Sequence, residues 1–422
     1  MSVMEPRVLA RAHALLAARH PGARAFWFTD LDRVRARAER LVQDLKSLRP
    51  RIAFALKANG LPAVLRVVRE AGLHADAGSL GELVVARACG FGPDRLTLSG
   101  NGRTPEEAAW VAEHGVETVS ADQPAELDLL EAAAARTGRR LRVALRVNPG
   151  IVAGGHPHIE TGHRGTKFGM TPVEALAVWA AGARWPHLTV DGVHVHVGSQ
   201  LVDGEPLLAA AHVALELAAR SAAAGAPLAC VNLGGGFGVD YTGGQATPDL
   251  RDLADRIAAL PGAAGVEWCF EPGRWVVADA GSLVSEVLWD KRRGEEGERF
   301  VVLAAGMNDL VRPALYGARH RLLVIAPRSG ALTIADVVGP VCESADRFLA
   351  AEPLPPFEPG DLVALLEAGA YGSVMSSNYN GRSRLAEVVQ VNGELVLARS
   401  PESPGAHAHL DETSERLGPV GG

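Results

Sequence analysis

From about residue 50 to residue 275, short β-branched and apolar runs alternate with Ala/Leu-rich stretches of helical period. The apolar runs predict strands at Ile52–Leu56, Leu73–Asp76, Leu96–Ser99, Thr118–Ser120, Leu141–Val147, Val190–Val197, Cys230–Leu233 and Glu267–Glu271. Helical patterns fill the gaps, for example Pro62–Ala71, Leu80–Cys89, Gln123–Arg136 and Pro206–Ala224. Eight strand–helix units in succession predict a closed, TIM-type (β/α)8 barrel, an α/β fold. A doubly wound open sheet is the alternative, but no dinucleotide fingerprint opens the series.

After Glu271 the helical period fades. Strand-like runs follow at Leu283–Trp289, Phe300–Ala304, Arg321–Ile325, Ala331–Asp336, Asp361–Leu366 and Ala386–Val391, punctuated by Gly and Pro. They predict a mostly antiparallel β-sandwich or β-barrel C-terminal domain. Strand-like Ala25–Thr29 could join that domain or feed the barrel. The expected division is a barrel over 31–275 and a β domain from 1–30 plus 276–422. Its polar tail from about 402 is expected to fray.

A chain of 422 residues, 47% hydrophobic, can hold two such cores. A net charge of -7 excludes nucleic acid or an anionic membrane as the main partner. No apolar run reaches membrane-spanning length, and Met1–His20 lacks the apolar core of a signal peptide. The four cysteines, Cys89, Cys230, Cys269 and Cys342, are far apart in sequence and show no CxxC spacing. A disulfide framework or a metal site is therefore not expected, and a cytoplasmic setting is.

Charge usage carries one signal. Of 42 basic residues only four are lysine: Lys46, Lys57, Lys167 and Lys291. Lys57 ends the first barrel strand, where an ammonium must be paired, neutralised or snorkelled to solvent. Unlike Arg, a lysine can lose its proton and form a Schiff base.

The other strand ends gather chemistry at the same face. Asp76 ends strand 2, and Arg146–Asn148 follows strand 5. His196–Gln200 closes strand 6. Strand 7 runs into Gly234, Gly235 and Gly236, and strand 8 into Glu271, Pro272, Gly273 and Arg274. Barrel enzymes place their sites at this C-terminal face. Consecutive glycines let backbone N–H groups converge on a phosphate, and Ser199 could add a hydroxyl. A lysine across the mouth from a phosphate cradle points to pyridoxal 5'-phosphate. Glu271 would face its pyridine nitrogen and His196 would lie over its ring. His194, on the same face two residues earlier, is the other candidate for that place.

These residues together resemble the fold-type III pyridoxal-phosphate-dependent decarboxylases, and within them the branch acting on diaminopimelate. The resemblance runs from about Phe26 to Arg382. It is carried by Phe54–Asn59, Arg146–Gly150, Lys167–Gly169, His196–Gln200, Gly234–Phe237, Glu271–Arg274, Met307–Tyr316, Cys342–Ser344 with Asp346, and Gly369–Gly372. It implies that Lys57 carries the cofactor, that Ser199, Gly234–Gly236 and Tyr371 hold its phosphate, and that Asp76, Gly273 and Arg274 line its site. It also implies a head-to-tail homodimer, in which Cys342 and Glu343 reach the partner's site and Cys342, or a water it positions, reprotonates Cα. Arg274, Arg312 and Tyr316 would bind the distal carboxylate of meso-2,6-diaminopimelate and Glu343 its distal amine, with Tyr371 also among the substrate-binding residues. L-lysine and CO2 would be the products.

Three positions depart from that pattern: Ala345 for a glycine, His158 for an aromatic residue, and the opening Ala25–Asp30. They leave open a decarboxylase for ornithine, arginine or a carrier-linked acid. An amino-acid racemase on the same barrel is disfavoured by Cys342 and the two arginines. A non-catalytic paralogue would be expected to lose Lys57 or Cys342, and both are kept.

Overall fold

The computed structural model describes residues 5–151, 167–294 and 297–406. The stretch 155–162 with His158, and the tail beyond 406, lie outside the described residues.

Eight parallel strands close a barrel: β2 (Arg51–Ala55), β3 (His74–Ala77), β4 (Leu96–Leu98), β5 (Thr118–Ala121), β6 (Leu141–Arg146), β7 (Leu188–His194), β8 (Cys230–Asn232) and β9 (Glu267–Phe270). Closure is made by β2 against β9, with Ile52 beside Phe270. The helices between strands begin on readable signals. Thr104 with Glu107 and Thr171 with Glu174 form capping boxes, and proline stands in the first turn of helices Pro62–Glu70, Pro105–His114, Pro124–Thr137 and Pro172–Ala180. Their apolar faces, with Val64, Leu83, Val111 and Leu130 fully buried, cover the barrel in one continuous core.

The remaining strands are β1 (Ala25–Asp30), β10 (Gly281–Arg292), β11 (Arg299–Leu303), β12 (Leu322–Val324), β13 (Thr333–Val338), β14 (Arg347–Leu354), β15 (Leu362–Leu365), β16 (Ala386–Val391) and β17 (Glu394–Arg399). They form a second sheet in the order β14-β13-β11-β10-β1-β16-β17, with β15 on β10 and β12 on β15. Its pairings are antiparallel except β1 with β16 and β11 with β13. β1 therefore belongs to this sheet and not to the barrel. Strands β14 and β17 are not legible in the sequence, because β14 alternates irregularly and β17 has no fully buried residue.

Barrel and sheet meet tightly where β10 begins. A Cβ on Gly369 would collide with the Val277 carbonyl and with Gly281, so only glycine lets the two backbones pass. Beyond this crossing, Tyr371 N–H donates to the Ala58 carbonyl at 2.8 Å and Asn59 Nδ2 to the Gly369 carbonyl at 3.0 Å. The sheet thus delivers Tyr371 beside Lys57, holding the tyrosine at a left-handed φ of 56°.

Candidate active site

Strand β2 stops at Ala55, earlier than the hydrophobic pattern implied, and a 3-10 turn over Leu56–Ala58 carries Lys57. The turn directs the lysine into the barrel mouth. There its side chain is open to water, yet ringed by charged groups. Burial disfavours the ammonium, but Tyr371, Asp76 and Glu271 outweigh burial and hold its pKa above the ordinary lysine range. The charge of the lysine is thus set by the acidic groups around it as well as by solvent.

Two carboxyl groups face it. Asp76 is 1% exposed. Burial, then repulsion from Glu271, pushes its pKa up to about 7, against the pull of Lys57 and hydrogen bonds from Ser99 and Thr97. The Glu271 side chain is 8% exposed. Burial raises its pKa as well, opposed by Lys57, Asn232 and Arg146. Asn232 at the end of β8 donates to Glu271 Oε1 at 2.6 Å, and its carbonyl oxygen Oδ1 accepts from Gly234 N–H at 2.8 Å. A carboxyl group held above its ordinary range is suited to sharing a proton with a ring nitrogen.

The two histidines separate. Strand β7 ends at His194, not at Val197. His194 turns into the barrel, with Nδ1 2.9 Å from Ser120 Oγ and Nε2 3.4 Å from Glu271 Oε2. Burial, then Arg146 and Lys57, hold its pKa well below the ordinary value, so it stays neutral and forms no ion pair. His196 lies past the strand end, and its Nδ1 accepts from Gly235 N–H at 3.3 Å. It too is kept neutral, by burial first and then by Lys57 and Arg146.

The glycine loop fits an anion. Gly234 and Gly236 hold φ of 64° and 100°. A Cβ would drive Gly234 into His196, Gly235 into the Glu271 carbonyl and Gly236 into the Gly198 carbonyl. Gly235, Gly236 and Ser199 line a cavity of about 170 Å³ together with Lys57, Glu271 and Tyr371. Across Lys57, His196 and Glu271 a second cavity of about 440 Å³ opens, lined by Arg146, Phe168 and Ser99. An amine able to bind an aldehyde, a carboxyl group able to face a ring nitrogen and a loop able to cradle a phosphate thus share one space.

Two arginines complete the first cavity. Arg274, 6% exposed, follows Gly273 in a single helical turn. Its Nη1 donates to Tyr241 Oη at 2.7 Å and its Nη2 to Ser199 Oγ at 3.0 Å, while its Nε is buried with no hydrogen-bond partner among the described residues. Arg312 opens the short helix Arg312–Tyr316. Its Cζ lies 4.8 Å over the Tyr241 ring and its Nη1 is 3.0 Å from His320 Nε2. Burial, with Arg312 next, drops the His320 pKa to about 3, which keeps it neutral beside the cation. Tyr316 lines the same cavity. Among the described residues neither arginine has an ion-pair partner.

Cys342 and Glu343 stand apart. Both are exposed and line neither cavity. Asp346 ties their loop down: its carboxylate accepts from Met307 N–H and Val341 N–H, each at 2.7 Å. Asn380 Oδ1 accepts from Cys342 N–H at 3.0 Å, and Tyr379 Oη donates to Glu343.

Residues 31–278 match the family described as "Pyridoxal-dependent decarboxylase, pyridoxal binding domain". The chain belongs to this family. It is 37% identical to a diaminopimelate decarboxylase of Helicobacter pylori over 90% of this chain and 93% of the relative. It is 38% identical to the enzyme of that name from Neisseria meningitidis serogroup A, over 84% and 87%. A crystal structure of a mutant H. pylori diaminopimelate decarboxylase complexed with L-lysine superposes with a TM-score of 0.87 at 35% identity, covering 92% and 96% of the two chains. The pyridoxal-dependent fold and carboxy-lyase chemistry read from the sequence hold.

Sequence reasoning passed over several residues of this decarboxylase site. Asn232, Tyr241 and His320 position Glu271 and the two arginines from other strands and loops. Only Asn232 left a signal, as a polar residue two places before the triple glycine.

Proposed function

We propose that this chain converts meso-2,6-diaminopimelate to L-lysine and CO2 with pyridoxal 5'-phosphate. The reading is carried by Arg274 and Arg312. Two buried guanidinium groups without a carboxylate partner among the described residues, in the cavity that holds Lys57, call for an anionic group on the substrate. Diaminopimelate carries a second carboxylate far from its reacting carbon, whereas ornithine and arginine do not.

The cofactor supplies an electron sink for the charge left on Cα when CO2 departs. Lys57 would hold the cofactor through its aldehyde. Gly234–Gly236 and Ser199, with Tyr371, would hold its phosphate. Glu271, steadied by Asn232, would keep a proton on its pyridine nitrogen. Neutral His196 would pack on its ring without adding positive charge beside Lys57. Arg274, Arg312 and Tyr316 hold the distal carboxylate, which fixes which carboxylate meets the reacting face.

Cys342 and Glu343 act on a second copy of the chain. Their loop is exposed and rigidly braced, which suits presentation to another molecule's mouth. Glu343 would receive the distal ammonium, and Cys342 would return a proton to Cα. We place the enzyme in the cytoplasm, since its chemistry needs no membrane. Among the described residues no helix is long and apolar enough to cross one.

The test is CO2 release from meso-diaminopimelate, ornithine, arginine and glutamate. The wild type should prefer diaminopimelate by about a hundredfold in kcat/KM, the scale of one well-placed charged contact. Arg312→Met should erase most of that preference through KM. A wild type that favours ornithine overturns the assignment. The shared site has its own test. Mixing inactive Lys57→Ala and Cys342→Ala chains should restore about one quarter of wild-type activity, since half the dimers are mixed and each has one whole site. No recovery would place Cys342 outside the partner's site.

A further inference from the structure

Below the mouth, β8 and β9 bring two cysteines together. Cys230 opens β8, and Cys269 precedes Glu271 by two residues. Their sulfurs are 3.3 Å apart, and both thiols are free. Cys230 is 2% exposed and Cys269 is half-buried. Arg51 Nη2 lies 3.4 Å from Cys230 Sγ and 3.1 Å from Glu267 Oε2. The hydrogen bond from Cys269, and then Arg51 and Arg142, draw the Cys230 pKa below the ordinary thiol range against the effect of burial. A thiol held this way beside a fixed cation favours the reactive thiolate.

The same arrangement repeats one layer higher. Asn232 and Glu271 follow Cys230 and Cys269 by two residues each, so each pair points to the same side of its strand. Both pairs line one small cavity of about 20 Å³, room for a single molecule near the size of water. Bonding the two sulfurs must close their separation from 3.3 Å to about 2.05 Å. In a packed barrel, drawing the two sulfurs together pulls on both β8 and β9. The 2.6 Å hydrogen bond from Asn232 to Glu271 spans those same strands.

We propose that Cys230 and Cys269 form an oxidation site for hydrogen peroxide, and that their disulfide displaces Glu271 from its place at the cofactor nitrogen. The second half rests on the role given to Glu271 above. The Cys230 thiolate attacks one peroxide oxygen and the O–O bond breaks. Cys230 becomes a sulfenic acid, and the departing hydroxide takes up the proton that Cys230 released, giving water. The Cys269 sulfur then attacks the sulfenic sulfur. The S–S bond forms, the S–O bond breaks, and hydroxide leaves with the Cys269 proton as a second water. Two thiols are oxidised and one peroxide is reduced to two waters.

The experiment treats reduced holoenzyme with hydrogen peroxide and maps a non-reducing digest by mass spectrometry. Cofactor affinity is followed by its visible absorption. Cys342 is exposed and will oxidise too, so turnover is not the readout. A linked Cys230–Cys269 peptide should form. Cofactor affinity should fall by about tenfold, the cost of one hydrogen bond to a charged group, and dithiothreitol should restore it. Cys269→Ser and Cys230→Ala chains should keep their affinity through the same treatment. Absence of the linked peptide from wild type overturns the site, whatever the variants do. A linked peptide with unchanged affinity overturns the coupling to Glu271, and so does equal loss of affinity in the variants. The role of Glu271 itself is tested separately: Glu271→Gln should weaken cofactor binding in fully reduced protein.

Discussion

The two ends of the barrel both carry charged side chains and use them in opposite ways. At the floor, Arg51 bonds Glu117 and Glu267, His74 Nδ1 lies 2.9 Å from Glu117, and Arg142 joins Glu267 to Asp191. Acid there meets base. Burial acts against it, but His74 and Arg51 hold the Glu117 pKa below the ordinary range. At the mouth, Asp76 and Glu271 repel each other in burial, Lys57 is the cation near them, and Arg274 and Arg312 have no carboxylate partner among the described residues. The floor is electrostatically satisfied and the mouth is not. Satisfied charge stabilises the fold, whereas unsatisfied charge waits for a cofactor and a substrate.

Substitutions at the two ends should therefore differ in kind. The largest effect belongs to Lys57→Ala, which should remove the visible band of lysine-bound cofactor and bring CO2 release to background. A retained band with retained activity would sink the assignment of Lys57. At the floor, Glu117→Gln takes the carboxylate from His74 and one of two from Arg51, which keeps Glu267. Urea unfolding should show a loss of about 2–3 kcal/mol, while kcat/KM stays within about twofold of wild type. A large fall in kcat/KM at unchanged stability would erase the contrast between the two ends.

The smallest effect is a slope. Asp76, raised to about 7 in the folded chain, keeps a proton that the unfolded chain releases near its ordinary 3.8. The folded state binds more protons across that window. This group's contribution therefore falls as pH rises from about 4 to about 7. The depressed Glu117 works in the reverse direction, stabilising above its unfolded pKa and losing that contribution as pH falls. Asp76→Asn should flatten the decline of cofactor-free stability towards neutral pH in a series of urea unfolding curves. An unchanged slope would mean that Asp76 is not the group strained at the mouth.

The sequence alone determined the eight βα units, because parallel barrel strands are buried on both faces and read as apolar runs. It also determined Lys57, Glu271, His196 and the triple glycine, because barrel register puts each at a strand's C-terminal end. Proximity across strands was decided only by the tertiary structure. The shear of the closed barrel sets Asn232 on Glu271 and Cys230 on Cys269, pairs separated by long stretches of chain. Packing decided that Tyr241 and His320, polar residues without a motif, hold the two arginines. The sheet beyond the barrel decided that Tyr371 arrives beside Lys57, through two glycines that let the backbones touch. Local pattern reports which face of a strand is buried. Which charge meets which depends on how the strands close, and that geometry is not written in any one segment.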